Sequence, residues 1–583
     1  MHDLRRFLVL VPILALPAAA QSIERASLTS SGAEPDAPAT RGRVSGDGLL
    51  VVFESSAANL AAGDSNGVGD VFVRDRSTGT TRIVSVDGFG FFGTQESANA
   101  RISADGRYVA FESWSDEWDP NDTNGWLDVY VKDLLAGTME RVSVDSAGQE
   151  AFRASRNASI SADGRFVAFD SRAQLAPGDS NFNVDDVYLR DRQLGTTVLV
   201  SVDSSGAQGV GPSRNPSVSA DGRYVAFESS AALDPLDVNG IPDVYVRDVV
   251  AGTTRLVSAH PLQGVGDDAS FAPAISGDGR FVVFESDATN LSSAPDTNHT
   301  RDVFLWDAIG GVPERISAGP GGVQADGPSL RATISADGAR IGFESYAQNL
   351  VAGDVNGLPD AFVFDRVDGV TSRASLDGEN LEANDASSYV EFSGDGAVVV
   401  FTSLATNFVA PDTNLGEDVF VRTAVPRWSA YCAGDGVGTP CPCGNDSVLG
   451  AGRGCLNSLG LGGRLVAQGE ASVGADSLVL SASGLPNSTA VFVQGTDVEN
   501  GGFGSPLADG LLCVGGTLVR LRARAVVAGA VQYPAGADPS ISALGGVVPG
   551  ATRSYQAIYR NAAAFCTPGT SNATNAVQLT WTF

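Results

Sequence analysis

Lysine is almost missing from this chain. Lys132 is the only one, so nearly all of the 38 basic side chains are arginine, and against 68 acids they leave a formal charge of −30. That balance excludes a nucleic-acid partner, since phosphates reward clustered Lys and Arg, and it argues equally against adhesion to anionic lipid. Histidine is nearly as scarce, with His2, His260 and His299 the whole supply. A Ser-His-Asp hydrolase needs its nucleophile on a sharp strand-to-helix turn, whereas the one Gly-x-Ser-x-Gly, at 63–67, falls in a loop that recurs along the chain; no phosphate loop occurs, and the lone Gly-x-Gly-x-x-Gly at 88–93 opens no helical pattern. A metal-dependent lyase would gather several histidines. No catalytic residue is therefore assigned. After the first twenty residues no run is apolar enough to span a bilayer. Charged residues make up only 18% and hydrophobic ones 43%, a globular balance, and 69 glycines point to tight turns and an all-β fold.

At 583 residues the chain exceeds one ordinary core, so several domains or a repeat array are expected. Residues 1–20 read as a signal peptide: Arg5 and Arg6 precede an apolar run that ends in Ala18-Ala19-Ala20. The mature protein is expected to be exported, to the periplasm, the cell surface or the medium.

A repeat of tens of residues reports a stacked or circular architecture, and here it is unmistakable. Ser-x-Asp-Gly recurs with Asp47, Asp105, Asp163, Asp221, Asp278, Asp337 and Asp395, at spacings of 58, 58, 58, 57, 59 and 58 residues. Six residues after each Asp stands a Phe: Phe53, Phe111, Phe169, Phe227, Phe284, Phe343 and Phe401. Each unit reads as four strands. In the second they are a short strand around Arg101-Ile102-Ser103, then 107–113, 128–132 and 140–144. Asp-Gly is placed in a two-residue hairpin turn, and Gly-Thr pairs such as Gly137-Thr138 between the last two strands. Four-stranded units around a ring are propeller blades.

A propeller leaves no open sheet edge. The seventh unit stops after Asp418-Val419-Phe420-Val421-Arg422 without a fourth strand, and Arg25-Ala26-Ser27-Leu28 matches Arg373-Ala374-Ser375-Leu376, the fourth strand of unit six. The step from that strand's Ser to the next marker Ser is 18 residues in every internal unit, and Ser27 to Ser45 is also 18. The expectation is a seven-bladed β-propeller over 21–424, its last blade completed by an N-terminal strand at 24–30.

The run Ser-Ala-Asp-Gly-Arg-Tyr-Val-Ala-Phe at 103–111 resembles the WD40-like repeats of TolB-type propellers, a likeness that extends over 22–424. It implies the fold and leaves function open, since such repeats occur in binding proteins, peptidase gating domains and polysaccharide lyases. The TolB protein has six blades, so the seven counted here depart from it, and a TolB-like role in envelope transport does not carry over.

Between second and third strands every unit carries Asp-x-Asn and a further Asp. These are Asp64/Asn66/Asp70, Asp122/Asn124/Asp128, Asp179/Asn181/Asp186, Asp237/Asn239/Asp243, Asp296/Asn298/Asp302, Asp354/Asn356/Asp360 and Asp412/Asn414/Asp418. Such oxygens could converge on Ca²⁺. Equally, Asp and Asn fold such loops unaided by bonding to backbone two residues on. Both readings stand. An acid also follows the marker Phe (Glu54, Glu112, Asp170, Glu228, Glu285, Glu344, with Thr402 breaking the series), and a basic residue stands on the third strand at 74, 132, 190, 247 and 422. An ion pair between the two fails as a rule, because Trp306 and Phe364 replace the base where Glu is kept. A structural role for the acid in each blade is expected.

All six cysteines (Cys432, Cys441, Cys443, Cys455, Cys513, Cys566) lie in 425–583, and in an exported chain they imply three disulfides of unspecified pairing. Alternating stretches at 477–481, 490–494 and 577–583 mark a β-sandwich-like domain. The pattern from Tyr431 to Ser458, with its Cys-Pro-Cys-Gly-Asn, resembles a C-terminal module on exported planctomycete-type bacterial proteins, which implies surface sorting or attachment. The function expected is that of a secreted, monomeric, non-catalytic binding or adhesion protein with a protein or glycan partner at the cell surface. The alternative is a carbohydrate-active enzyme, a glycan lyase or hydrolase, using acids at the propeller channel.

Overall fold

The computed structural model describes residues 23–581, apart from 367–368, 379, 424–427, 433, 435–438, 448–452, 469–470, 472, 474–475, 477, 536–537, 549–550, 562–566 and 568–569. The signal-peptide expectation at 1–20 and the proposed boundary at 424–425 lie outside the described residues. The architecture is all-β and propeller-like, built from four-stranded antiparallel sheets.

Sheet one comprises Ala39–Val44, Leu50–Ser55, Asp70–Asp75 and Thr80–Ile83; sheet two Ser97–Ile102, Tyr108–Ser113, Asp128–Asp133 and Met139–Arg141; sheet three Ser155–Ile160, Phe166–Ser171, Asp186–Asp191 and Thr196–Leu199. Sheet four follows with Ser213–Val218, Tyr224–Ser229, Asp243–Asp248 and Thr253–Leu256, and sheet five with Ser270–Ile275, Phe281–Ser286, Asp302–Asp307 and Glu314–Arg315. Sheet six holds Ser329–Ile334, Arg340–Ser345, Asp360–Asp365 and Val370–Arg373. Sheet seven joins Ser387–Phe392, Val398–Ser403 and Asp418–Thr423 to Ile23–Arg25, whose Glu24 stands opposite Val421.

Each sheet has the same internal logic. The second strand is a continuous buried run, and its marker Phe lies directly opposite an aromatic on the third strand: Phe72, Tyr130, Tyr188, Tyr245, Phe304, Phe362 or Phe420. The ring centroids of these stacked pairs are 5.7 to 6.3 Å apart. Cross-strand aromatic pairs of this kind fix the register as well as fill the core. Between neighbouring sheets, aliphatic residues of one pack on the next; Val52, Val71 and Val73 of sheet one meet Ala100, Val109 and Phe111 of sheet two.

The marker turn differs from the two-residue hairpin read from the sequence. Gly48 has φ +74°, whereas Asp47 keeps negative φ, and the ladder resumes with the Ser45 N–H donating to the Leu50 carbonyl. The Asp47 carboxylate instead accepts from the Ser45 hydroxyl (2.6 Å) and from the Leu49 N–H (3.0 Å). A short carboxylate two residues before a donor builds a four-residue loop with only glycine in the left-handed region. The same bonds recur at Asp105, Asp163, Asp221, Asp278, Asp337 and Asp395.

These turns are linked to one another. The Gly46 N–H donates to the Ala104 carbonyl, and the links continue from Asp105 to Ala162, Ala162 to Ala220, Ala220 to Gly277, Gly277 to Ala336 and Asp337 to Gly394; the Gly394 N–H then donates to Gly46. Every donor belongs to the sheet before its acceptor.

The N-terminal strand is shorter than the 24–30 expected, because the chain leaves the ladder after Arg25. Two residues beyond that strand, Ser27 does in sheet seven what the serine two residues beyond the fourth strand does in every other sheet. Its hydroxyl donates to the Asp418 carboxylate at 2.6 Å and accepts the Val419 N–H at 3.1 Å, as Ser85 does with Asp70 and Val71 at 2.5 and 3.1 Å.

Beyond residue 427 lies a five-stranded sheet in the order Trp428–Tyr431, Ser571–Thr580, Thr552–Arg560, Thr489–Gly495, Val519–Ala525, and a three-stranded one of Arg464–Gln468, Val479–Ser483 and Val531–Tyr533. Both contribute to one core that includes Leu465, Leu480, Phe492, Tyr533, Tyr555 and Trp581. Cys432 is bonded to Cys513 and Cys441 to Cys455; Cys443 is also disulfide-bonded, and Cys566 lies outside the described residues. Among the described residues no helix is long and apolar enough to cross a membrane.

Deleting residues 21–31 is expected to lower the melting temperature sharply, and Ser27→Ala to cost about 1–3 kcal/mol by leaving a buried Asp418 oxygen without its donor. Thermal unfolding of both variants checks this; an unchanged melting temperature in the deletion would show that the strand contributes nothing.

Candidate functional site

The first strand of every sheet carries a bulge. Pairing with the second strand runs in register at Ala98 and Glu112, shifts, and resumes at Arg101 and Ala110, and the same shift occurs in all the other sheets. The bulged residues are Arg41, Asn99, Asn157, Asn215, Ala272, Arg331 and Tyr389, each at a φ between +47° and +55°. For Arg, Ala and Tyr this conformation is costly, so something must hold it.

The acid after the marker Phe supplies the hold. Glu112 of sheet two accepts the Asn157 N–H of sheet three at 2.6 Å, Asp170 accepts that of Asn215 at 3.2 Å, Glu228 that of Ala272 at 2.9 Å and Glu285 that of Arg331 at 2.5 Å. Glu54 takes the Ala100 N–H at 3.2 Å, and where the series breaks Thr402 accepts the Arg41 N–H through its hydroxyl at 3.1 Å. The bulged side chain often reaches back to its own sheet's acid, as in Asn99 to Glu112 (2.9 Å), Asn157 to Asp170 (2.8 Å) and the Arg331–Glu344 ion pair. The acids are therefore joints between sheets. Burial pushes Glu54, Glu112, Glu285 and Glu344 above the ordinary carboxylate range and Asp170 up to about 7.

The third-strand bases make a second joint. Lys132 donates to the carbonyls of Val86, Asp87 and Gly137, and Arg74, Arg190, Arg247 and Arg422 reach Thr29, Asp145, Asp203 and Asp377 in the sheet before their own. Acid and base thus serve different neighbours, and no ion pair unites them.

Each acidic loop does bring its Asp, Asn and Asp together, in specific roles. Asp70, Asp128, Asp186, Asp243, Asp302, Asp360 and Asp418 are buried at the head of the third strand, and each accepts a fourth-strand serine hydroxyl. The Asn turns its amide inward: Asn66 donates to Asp70 at 2.8 Å and to the Gly93 carbonyl at 3.0 Å, while its oxygen accepts the Val68 N–H at 3.2 Å. Asn124, Asn239 and Asn356 repeat the pattern, and the Asn181, Asn298 and Asn414 amides go to the carbonyls of Gly209, Ala325 and Pro35. The first Asp accepts a tyrosine hydroxyl in sheets two to four, from Tyr130, Tyr188 and Tyr245 to Asp122, Asp179 and Asp237.

A cation is already present in four loops. Two residues before the fourth-strand serine stands Arg141, whose guanidinium is 3.1 Å from Asp122, 3.2 Å from Glu150 and 3.6 Å from Asp128. Arg373 lies 2.6, 3.1 and 3.6 Å from Glu382, Asp360 and Asp354; Arg25 is 3.2 Å from both Asp412 and Asp418, and Arg315 is 3.0 Å from Asp302. In sheet three Gln208 donates to Asp179 (3.0 Å) and Asp186 (2.9 Å), and in sheet five Gln324 donates to Asp296 and Asp302 (both 2.8 Å). Ile83 and Leu256 stand at the arginine position in sheets one and four, beside Asp64/Asp70 and Asp237/Asp243. Asp354, Asp360 and Glu382 alone bring three carboxylates within 4.8 Å among the described residues, and Arg373 stands among them.

The first strands also line a cavity of about 410 Å³. Two residues beyond each bulge are Arg43, Arg101, Ser159, Ser217, Ala274, Thr333 and Glu391, all at its wall. This lining does not repeat. Arg43 pairs with Glu391 at 3.3 Å, and Arg331 stacks on the Tyr389 ring at 4.4 Å. Neither His260 nor His299 is near: the first accepts the Leu262 N–H within its own hairpin, and the second lies exposed in the acidic loop of sheet five at φ +52°.

No family model and no curated protein matches the chain. Among solved structures it is similar to an oligogalacturonate lyase in complex with manganese, at 14% identity over 70% of this chain and 95% of that one, with a TM-score of 0.43. The propeller domain of the Trilobed protease from Pyrococcus furiosus (12%, 66% and 95%, TM-score 0.40) and a putative TolB from Agrobacterium tumefaciens (17%, 60% and 95%, TM-score 0.33) are similar as well. These likenesses are to propeller proteins of several activities and carry no activity to this chain.

The buried carboxyls generate a pH signature. Burial holds Asp70, Asp186, Asp243 and Asp418 near 6, Asp128 and Asp170 near 7 and Asp354 near 8. A carboxyl raised in this way keeps its proton in the folded chain longer than in the unfolded one, so its contribution is greatest in acid and is lost as pH climbs through the folded value. Asp133, held down to about 2 by Arg107, acts oppositely but only in strong acid. The melting temperature is expected to fall between about pH 5 and pH 8.5, and Asp170→Asn to flatten that slope. Scanning calorimetry across this range is the check, and a melting temperature that rises with pH would refute the assignment.

Proposed function

We propose that this is an exported, non-catalytic binding protein: a seven-bladed propeller over residues 21–424, closed by the strand at Ile23–Arg25, followed by a disulfide-bonded β-sandwich-like domain over 425–583. The observation that supports binding over catalysis is the engagement of the acids at and behind the cavity wall, where Glu391 pairs with Arg43 at 3.3 Å. A glycan lyase or hydrolase at the channel needs a carboxylate free to move a proton, whereas Glu54, Glu112, Asp170, Glu228 and Glu285 are each tied to a backbone N–H of the next sheet.

The partner is a protein or glycan met outside the cell, and the surface offered to it is the end of the propeller where second-to-third and fourth-to-first strand loops emerge together. In an antiparallel four-stranded sheet those two loops leave the same edge. They carry exposed aromatics on sheets one to three: Phe89 (90% exposed), Phe91, Trp126, Phe152 and Phe182. Exposed rings in such number are uncommon on a protein without a partner, and flat rings stack on the apolar faces of sugars as well as on side chains. A glycan array and a pull-down with the mature protein are expected to yield a ligand whose binding falls at least about tenfold in a Trp126→Ala, Phe182→Ala double variant. A ligand found to be turned over, with activity lost in Glu112→Gln, would replace this reading with the enzymatic one.

For the acidic loops, of the two readings left open by the sequence, we take turn chemistry. Internal arginine or glutamine donors serve five of the seven, and the Asn amides face the carboxylates as donors. Titrating Ca²⁺ into chelator-treated protein is expected to release no saturable heat and to leave the melting temperature unchanged; saturable millimolar binding would restore the calcium reading.

A further inference from the structure

The channel contains a cation that no carboxylate of the described residues pairs with directly. Arg101 projects from the first strand of sheet two into the cavity, and among the described residues no carboxylate lies within ion-pair distance of it. Its one side-chain bond is a marginal 3.5 Å contact from Nη1 to the carbonyl of Ala100, its own neighbour. A guanidinium offers five N–H donors in a planar fork, and Arg101, half-buried at the cavity wall, leaves most of them open to whatever the cavity holds. In a chain with 68 acids the omission is specific.

The acids closest to Arg101 are otherwise engaged. Glu391 pairs with Arg43 at 3.3 Å; Glu54 takes the Ala100 N–H and lies 3.5 Å from Arg41; Glu112 holds the Asn99 amide and the Asn157 N–H. Burial, with the positive field of Arg43 added, pulls the Arg101 guanidinium down to about 10 against the opposing fields of Glu391, Glu54 and Glu112. Around the rest of the wall Asn157, Asn215, Ser159 and Ser217 present uncharged polar groups, and Arg331 and Glu285 carry the remaining charges. The 410 Å³ cavity admits a compact ligand and no larger chain.

We infer that the channel beside Arg101 binds the carboxylate group of a small anionic ligand, with the Arg101 fork as its acceptor site and Arg43 as a flanking charge. This goes beyond the loop-face binding proposed above, which concerns a different surface. Carboxylate matches the planar fork in two parallel N–H···O bonds, a geometry that lysine would not offer.

The test uses the mature full-length protein with citrate and malonate as probes and glucose as the neutral control, near neutral pH and at low and high salt. Calorimetry is expected to show millimolar or tighter binding of both acids, none of glucose, and weakening as salt is raised. Arg101→Gln is expected to reduce affinity by about tenfold or more, while Arg82→Gln, on an exposed surface, leaves it unchanged. Because Arg101 makes no ion pair, Arg101→Gln is also expected to keep a melting temperature close to that of the parent. Absence of binding to either acid, binding indifferent to Arg101→Gln, or a marked loss of stability in that variant would overturn the inference. A partner captured on the aromatic loop face while citrate fails to bind would sink the channel site and leave the broader reading intact.

Discussion

One hydrogen bond organises every sheet, that from a fourth-strand serine hydroxyl to the buried aspartate at the head of the third strand. The aspartate sits where the acidic loop becomes a strand, with essentially no exposed surface, and its second oxygen turns to the loop's own asparagine, to a glutamine or to an internal arginine. A carboxylate so enclosed is tolerable only with both oxygens served. The requirement fixes where the fourth strand must lie, which loop shape can precede the third, and which residue occupies the core of each acidic cluster. It also makes Ser27 indispensable in its sheet, since the Asp418 it serves has no other hydroxyl donor among the described residues.

Much of this was legible in the sequence because it repeats at a constant spacing. The Ser-x-Asp-Gly marker, the Phe six residues later and the 18-residue step from Ser27 to Ser45 all report contacts within one sheet or its direct continuation, and the sheets assemble as those spacings require. The bulge was not legible. Its residue is Arg, Asn, Ala or Tyr in different sheets, so no residue type announces the left-handed backbone, and the carboxylate that holds it lies in the previous unit, about 45 residues earlier in the chain. The acid's repetition was visible, but its partner is a main-chain N–H, which sequence does not display.

The arginines in the acidic loops were recoverable and were missed. Two residues before the fourth-strand serine stand Ile83, Arg141, Leu199, Leu256, Arg315, Arg373 and Arg25, and Glu34, Glu150 or Glu382 accompanies three of the four arginines. Read as a column, that alternation between aliphatic and charged signals a cation built into some loops and not others.

The turn-to-turn hydrogen bonds around Gly46, Ala104 and their counterparts all point the same way round. Such a hoop shares load: a pull on any one turn is passed to its neighbours through backbone atoms that no side-chain replacement can remove. It also makes the number of units discrete. Dropping or inserting a copy would change the angle every remaining joint must span. Single residues along the first strand can therefore drift, as the unlike series from Arg43 to Glu391 shows, while whole repeats cannot be exchanged piecemeal.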